Sequence, residues 1–270
     1  MKLLITGSEG FIGKNFIKAI PRAWNFDCFD IKNNLNVRPK HLSVKKYDWV
    51  IHLGAISSTT ESNLSRLMDL NLSWTVELFE ECKKHNCNLQ WSSSASVYGK
   101  RSRSAGVFKE TDQCMPSNYY AMSKYLIEQY IKCSSYDITV QGFRYFNVYG
   151  EHEEHKQNQA SPYTQFKQQA QKTGIINIFE GSDVIYRDFV HVDSVVAAHL
   201  KMLNSRLSGI YNIGSGQAKS FLEVASSIAS DFSAQINIIP FPEHLKSHYQ
   251  YYTEADMTLL SNTLRNEGIL

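Results

Sequence analysis

An apolar run over residues 2–6 passes directly into Thr6-Gly7-Ser8-Glu9-Gly10-Phe11-Ile12-Gly13, and that glycine-rich turn opens an amphipathic helix. Strand, glycine turn and helix in this order constrain the fold more than any other feature of the chain. Gly7 allows a tight turn, Gly10 lets a backbone approach a pyrophosphate, and Gly13 lets the helix pack closely on the strand. The helix start adds free N–H groups and a positive dipole end, which suits an anionic dinucleotide. The spacing is GxxGxxG rather than GxGxxG, and a plain strand-to-helix turn is the competing explanation.

Further along, short β-rich runs at 27–30, 48–53, 88–93 and 138–144 alternate with helical patterns beginning near Phe11, Asn63 and Tyr119. The first helix is expected to stop at Pro21, which lacks a backbone N–H. Such alternation implies a parallel sheet covered by helices on both faces, joined by right-handed crossovers. The stretch between Asp30 and Tyr47 is too short and polar for a full helix and strand, so one unit of the fold is trimmed. After Gly150 come a polar loop, a helix near 163–172 and shorter elements that read as a second lobe. The fold class is therefore α/β, a doubly wound parallel sheet with a smaller α/β substrate-binding lobe. Residues 1–150 form the dinucleotide-binding domain, segments near 187–213 return to it, and 151–270 supply mainly the lobe.

Over 270 residues, 43% are hydrophobic and 20% charged, which predicts a packed chain with a substantial core. Basic and acidic side chains number 28 and 26 and are well mixed, so no extended basic field points to nucleic acid. No apolar run reaches the roughly 20 residues of a membrane span, and none resembles a signal peptide, so no membrane partner and a cytoplasmic location are expected. Five cysteines without a CxxC pair suit reduced thiols. The histidines of His152-Glu153-Glu154-His155 lack a third ligand, so no metal is expected.

Asp30, at the end of the second strand, stands where an acidic side chain accepts hydrogen bonds from adenosine ribose hydroxyls, which favours NAD. Lys32 would instead suit a 2′-phosphate, so NADP stays open. Tyr120 and Lys124 open a helical segment at i and i+4, one turn apart on one face. A close ammonium favours a phenolate, so the two can act as a proton-transferring unit. Upstream, Trp91-Ser92-Ser93-Ser94-Ala95-Ser96-Val97-Tyr98-Gly99 closes a strand at the edge where α/β sheets bind ligands.

In this order TGxxGFIG, the serine run before VYG, YxxxK and Arg144-Tyr145-Phe146-Asn147-Val148-Tyr149-Gly150 resemble the extended short-chain dehydrogenase/reductases acting on sugar nucleotides, the NAD-dependent epimerase/dehydratase family. The resemblance implies a Rossmann-type fold, with Ser94 orienting substrate, Tyr120 as acid/base and Lys124 as its partner on the nicotinamide ribose. It implies cofactor contacts from Gly7, Gly10, Phe11, Ile12, Gly13, Asp30, Ile31, Lys32, Leu53, Gly54, Ala55, Asn71 and Val148. The cofactor is NADP or NAD, the resemblance leaning toward NADP. A nucleotide-sugar substrate and a homo-oligomer are also implied.

Within the family, the stretches AISSTTE, GFRYFNVYG, IFEGS with RDFV, SGIYNIGSGQAKSF and PFPEHLKSHYQ are similar to the ADP-glycero-manno-heptose 6-epimerases of lipopolysaccharide biosynthesis. That likeness implies Lys156 as a second acid/base facing Tyr120 across the sugar. It implies substrate contacts from Ser57, Ser94, Asn147, Asn158, Gln165, Phe179, Glu180, Gly181, Ser182, Arg187 and Tyr249. Two groups are wanted because one removes the hydroxyl proton on oxidation and another supplies a proton when hydride returns to the opposite face. Physical chemistry separately favours Arg187 as a diphosphate ligand, since a guanidinium fork matches paired phosphate oxygens.

The chain departs from the heptose pattern at Gln157, Asn158 and Gln165, after Asp30, and at Leu270, where the family continues into a closing helix that this chain is expected to lack. A 4-epimerase or reductase of the same family would share Tyr120 and Lys124 without needing Lys156. A dehydratase would add an acidic residue where Ala95 and Ser96 stand. A non-catalytic dinucleotide sensor would be marked by a broken Tyr/Lys pair, and here the pair is intact.

Overall fold

The computed structural model describes residues 1–34, 36–243 and 249–269, with the side chains of His155, Gln157 and Asn158 outside that description. Strand β1 (Lys2–Thr6) pairs in parallel with β2 (Asn25–Phe29) on one side and β3 (Trp49–His52) on the other. Next in the sheet come β4 (Asn88–Ser94) and β5 (Val140–Tyr145). The chain then leaves through β6 (Asn147–Tyr149), β7 (Ile175–Phe179) and β8 (Tyr186–His191), and returns as β9 (Gly209–Ile213) beside β5. The result is a six-stranded parallel sheet in the order β2-β1-β3-β4-β5-β9.

Both faces are covered, so interior strands are apolar on both sides, successive side chains pointing to opposite faces. Leu4, Val50 and Leu89 face α3 (Trp74–Lys84) and α4 (Tyr119–Lys132), where Leu78, Phe79 and Ile127 complete the core. Leu3, Ile5 and Ile51 point the other way, toward Phe16 of α1 (Phe11–Ala19) and Val192 and Val196 of α6 (Val192–Met202). Helix α1 ends on Ile20, immediately before Pro21. The helix expected from Asn63 is interrupted: α2 (Leu64–Leu67), capped by Asn63, runs through a π-helical turn, Met68–Ser73, into α3.

A second layer of structure lies beyond the carboxyl edge of the sheet. Here β10 (Ala218–Ser220), β8 and β6 form one small sheet, and β11 (Gln235–Ile239) pairs with β7 in another. Helices α5 (Pro162–Thr173) and α7 (Phe221–Phe232) pack over them around Phe166, Ile178, Ile185, Phe189 and Val224. Pro162 at the first position and Ser161 as N-cap start α5, and Gly174 in the left-handed region ends it.

The structure corrects the ends of two strands expected from the sequence. The second strand lies at Asn25–Phe29 and the fifth at Val140–Tyr145, each displaced by about two residues because register against the neighbours, not local composition, fixes the ends. The trimmed segment folds as three single 3₁₀ turns, Ile31–Asn33, Pro39–His41 and Val44–Lys46, anchored by buried Pro39 and Val44. Near the end of the described chain, Leu260 and Leu264 of α8 (Thr258–Asn266) pack with Tyr211 and Ile213 of β9. Among the described residues no helix is long and apolar enough to cross a membrane.

Candidate active site

The strand order reverses at β1, where the chain goes first to β2 and then crosses to β3, and a crevice opens at the carboxyl ends of β1 and β3. Glycines let the backbone segments at that point pack closely. Gly7 has φ +74°, and a methyl group on it would stand 2.3 Å from the backbone nitrogen of Gly54 in the loop after β3. A methyl group on Gly13 would lie 2.2 Å from the Gly7 carbonyl oxygen. Gly10 has ordinary φ and is the N-cap of α1; no side chain caps that helix and its first turn holds no acidic residue, so its amides face the crevice unopposed. Phe11 is buried there, and Ile12 and Val148 pack together at the seam of two apolar clusters.

Asp30 fastens the end of β2 to the glycine turn, its two carboxylate oxygens accepting from the backbone N–H groups of Glu9 and Lys32, each at 3.0 Å. Ile31 packs inward and Lys32 is exposed. The loop Leu53-Gly54-Ala55 follows β3, and Asn71 holds the next residue by both ends of its amide. Its Oδ1 accepts from the Ile56 N–H at 2.8 Å, and its Nδ2 donates to the Ile56 carbonyl at 3.0 Å and to Ser123 Oγ at 3.1 Å. Ser123 Oγ in turn donates to the carbonyl of Tyr120 at 2.7 Å. Asn71 sits in the π turn, so the irregularity of that helix is what joins the loop of β3 to α4.

Helix α4, capped by Asn118, presents Tyr120, Lys124 and Glu128 at i, i+4 and i+8 to the three serines that end β4. Tyr120 hydrogen-bonds Ser94; burial pushes its phenol above the ordinary range, and that bond opposes the shift. Lys124 Nζ donates to the Ser92 carbonyl at 2.9 Å, and burial lowers it to about 7. The lysine expected to depress the tyrosine is therefore itself drawn toward neutrality. Ser93 Oγ donates to Glu128 Oε1 at 2.5 Å, and Glu128 receives Arg144 of β5 through Nε at 2.9 Å and Nη2 at 2.6 Å. Sequence reasoning missed Glu128, although its place one turn after Lys124 was there to be read.

Lys156 lies in a 3₁₀ segment, Glu154–Gln159, with its ammonium 4.6 Å from the centre of the Phe11 ring, at the mouth of the glycine turn. Burial lowers its pKa, and Glu153, 3.8 Å away, opposes that. The neighbouring Gln159 amide donates to Ser58 Oγ at 3.1 Å, which brings this segment against the loop that holds exposed Ser57. Asn147 opens β6, and Gln165 donates to the Ala160 carbonyl at 2.7 Å. Asn158, another expected substrate contact, has a side chain outside the described residues.

Farther out, Phe179 packs on Phe241 and Phe241 on Tyr249, with Arg187 5.4 Å from the Tyr249 ring. Arg187 is buried, donates to the carbonyls of Tyr186 and Gln250, and forms no ion pair among the described residues; burial lowers it to about 10. The turn Phe179-Glu180-Gly181-Ser182 adds a buried Ser182 hydroxyl without a hydrogen-bond partner among those residues. A buried cation with no ion pair among the described residues, set beside the Tyr249 ring, is a setting for an anionic ligand. Phe241 and Gln250 were not foreseen, because contacts alone bring them here. His152 is exposed with φ +69°, all five cysteines are free, and the described residues contain no group of three side chains placed to hold a metal.

A glycine-lined switch point, an uncapped helix start and a Tyr/Lys helix face against a serine strand end define a nicotinamide-dependent α/β enzyme of the short-chain dehydrogenase/reductase type. The profile of the NAD dependent epimerase/dehydratase family matches residues 3–214, and the chain belongs to that family. Among solved structures, it is similar to the ADP-L-glycero-D-manno-heptose-6-epimerase of Helicobacter pylori, with 25% identity, a TM-score of 0.85, and 98% of this chain and 90% of that one covered. The UDP-glucose 4-epimerase of Thermus thermophilus, in complex with NAD, shares the fold at 24% identity and a TM-score of 0.82, covering 97% and 92%. RMD from Pseudomonas aeruginosa, complexed with NADPH, does so at 22% identity and 0.79, covering 98% and 93%.

Proposed function

We propose that this enzyme is a sugar-nucleotide epimerase that inverts one carbon of an NDP-heptose or similar NDP-hexose by transient oxidation, inversion of the side-chain C6″ of an ADP-glycero-manno-heptose being its most specific form. One observation carries the reading: Tyr120 stands on α4 beside Ser94 at the carboxyl end of β4, while Lys156, on a separate segment, holds its ammonium over Phe11 at the start of α1. Two proton-transferring groups on separate elements suit an inversion in which oxidation and reduction occur on opposite faces of one carbon.

Bound NAD or NADP supplies the chemistry of accepting a hydride and giving it back. Ser94 holds the substrate oxygen, and Tyr120, hydrogen-bonded to it, takes the hydroxyl proton as the alcohol becomes a ketone. Lys156 serves the opposite face when the alcohol re-forms. Lys124, anchored on Ser92, holds the nicotinamide ribose, and a pKa near 7 lets it exchange a proton at working pH. The amides at Gly10 to Gly13 receive the pyrophosphate, and Gly7, Phe11, Ile12, Leu53, Gly54, Ala55, Asn71 and Val148 shape the cofactor cradle. At its far end Asp30 and Ile31 meet the adenosine ribose, with Lys32 available to a 2′-phosphate. Arg187, Tyr249 and the Phe179–Ser182 turn take the nucleotide diphosphate, and Ser57, Asn147, Asn158 and Gln165 surround the sugar.

The enzyme works as a homo-oligomer through an apolar stripe on the outer face of α4. Tyr119, Met122, Leu126 and Tyr130 repeat at helical spacing and are all exposed. A 4-epimerase acting on UDP-hexoses is the second reading, and the likeness of fold to the Thermus enzyme favours keeping it. Incubating the protein with ADP- and UDP-sugars, each with NAD and with NADP, and following products by NMR separates the two. Inversion of an ADP-heptose at C6″, lost by about 10²-fold or more in Lys156→Met, is expected. Inversion of a UDP-hexose at C4, untouched by that substitution, would establish the second reading instead.

A further inference from the structure

Glu153 has less than 2% of its surface exposed, yet it lies in an otherwise polar surface loop. Burying a carboxylate is costly unless its oxygens are satisfied, and here they are. Oε1 accepts the Ser161 N–H at 2.7 Å and faces Lys156 Nζ at 3.8 Å. Oε2 accepts the Ser161 hydroxyl at 2.8 Å and the Thr164 hydroxyl at 2.5 Å. Ser161 is at the same time the N-cap of α5, its Oγ accepting the Thr164 N–H at 3.2 Å. One carboxylate thus ties the cap of α5 to the ammonium that stands over Phe11. Among the described charged groups, Glu153 is the partner of the Lys156 ammonium, which also lies over the Phe11 ring.

We propose that Glu153 is the positioning residue for Lys156, its buried carboxylate coupling the start of α5 to the placement of the lysine ammonium at the dinucleotide turn. The proposal rests on the acid/base reading of Lys156 for its catalytic consequence, but the placement itself is independent of that reading. A lysine on a polar surface segment samples many rotamers; a carboxylate fixed by three other hydrogen bonds selects those that keep the ammonium over the crevice. Movement of α5 at its N-terminus then moves Lys156 with it, so substrate held between α5 and the sheet and the proton donor come into register together.

The test uses the full chain with Glu153→Gln, which keeps the side-chain shape and an acceptor for Ser161 but removes the negative charge, and with Glu153→Asp. Competitive acetylation at pH 7.5, read lysine by lysine by peptide mass spectrometry, measures the placement without reference to turnover. Loss of the carboxylate is expected to raise the reactivity of Lys156 by about tenfold, the equivalent of about one pKa unit, with other lysines unchanged and Asp restoring part of the protection. Unchanged Lys156 reactivity would overturn the placement. For the catalytic consequence, Glu153→Gln should lower inversion about tenfold in wild type, move the alkaline limb of its pH profile downward, and add nothing in a Lys156→Met background. An equal loss in both backgrounds, with no movement of the pH profile, would make Glu153 a structural residue only. Full inversion by Lys156→Met would instead defeat the acid/base reading and leave the acetylation result to decide the placement.

Discussion

Burial moves Tyr120 and Lys124 in opposite directions on the pH scale and toward the same neutral state: the phenol holds its proton more tightly and the ammonium more loosely. Such a pair can hand a proton along without building a charge that the buried site cannot solvate. Tyr120→Phe should therefore lower turnover by about 10²–10⁴-fold while leaving dinucleotide binding, followed by calorimetry, within a factor of a few. The lysine also makes a stability prediction. In the unfolded chain it titrates near 10.4, in the folded one near 7; between those values the unfolded state binds the extra proton, so stability rises with pH from about 7 to about 10. Lys124→Met should flatten that rise in denaturant unfolding at pH 7 and pH 9, and parallel curves would contradict it. His52 and His199 act in the same sense on the acid side. Burial holds each near 3, against about 6.5 when exposed, so stability falls as pH drops from about 6.5 toward 3.

Elements were legible in the sequence where their signal was local. The strand–glycine turn–helix unit, the Tyr/Lys spacing and the serine run read correctly because each is contained in a few consecutive residues. What could not be read depends on partners far away in the chain. Asn71 reaches Ser123 across 52 positions, which gives the π turn its purpose. Phe241 reaches Phe179 only because β11 pairs with β7. The Glu128–Arg144 pair belongs to the same group: it ties α4 to β5 while Ser93 ties it to β4, and both charged side chains are buried. Removing one partner leaves an uncompensated charge, so Glu128→Gln should cost about 3–5 kcal/mol, seen as a lower urea midpoint. Glu128→Gln with Arg144→Met should recover much of that loss. If the single and double variants are equally destabilised, the pair does not hold α4.

At the scale of the whole molecule, the carboxyl edge of the sheet carries the glycine turn and the serine end of β4, and the segments after β6 bring Lys156 over Phe11 and Arg187 against Tyr249. Helix α8 covers β9 at the far edge of the sheet, Leu260 and Leu264 packing on Tyr211 and Ile213. The outer stripe of α4 lies directly behind the Tyr120 face, so association there would brace the helix that carries the chemistry. The proposed association through α4 predicts that wild type sediments as an oligomer and Leu126→Glu as a monomer in sedimentation velocity; equal sedimentation coefficients would contradict it. In the proposed reaction one carbon is oxidised and re-reduced within the site, the hydride never leaving it. Turnover in heavy water, with the product examined by NMR, measures this most directly: the inverted carbon should carry no deuterium, and deuterium at that carbon would show that inversion proceeds by deprotonation instead.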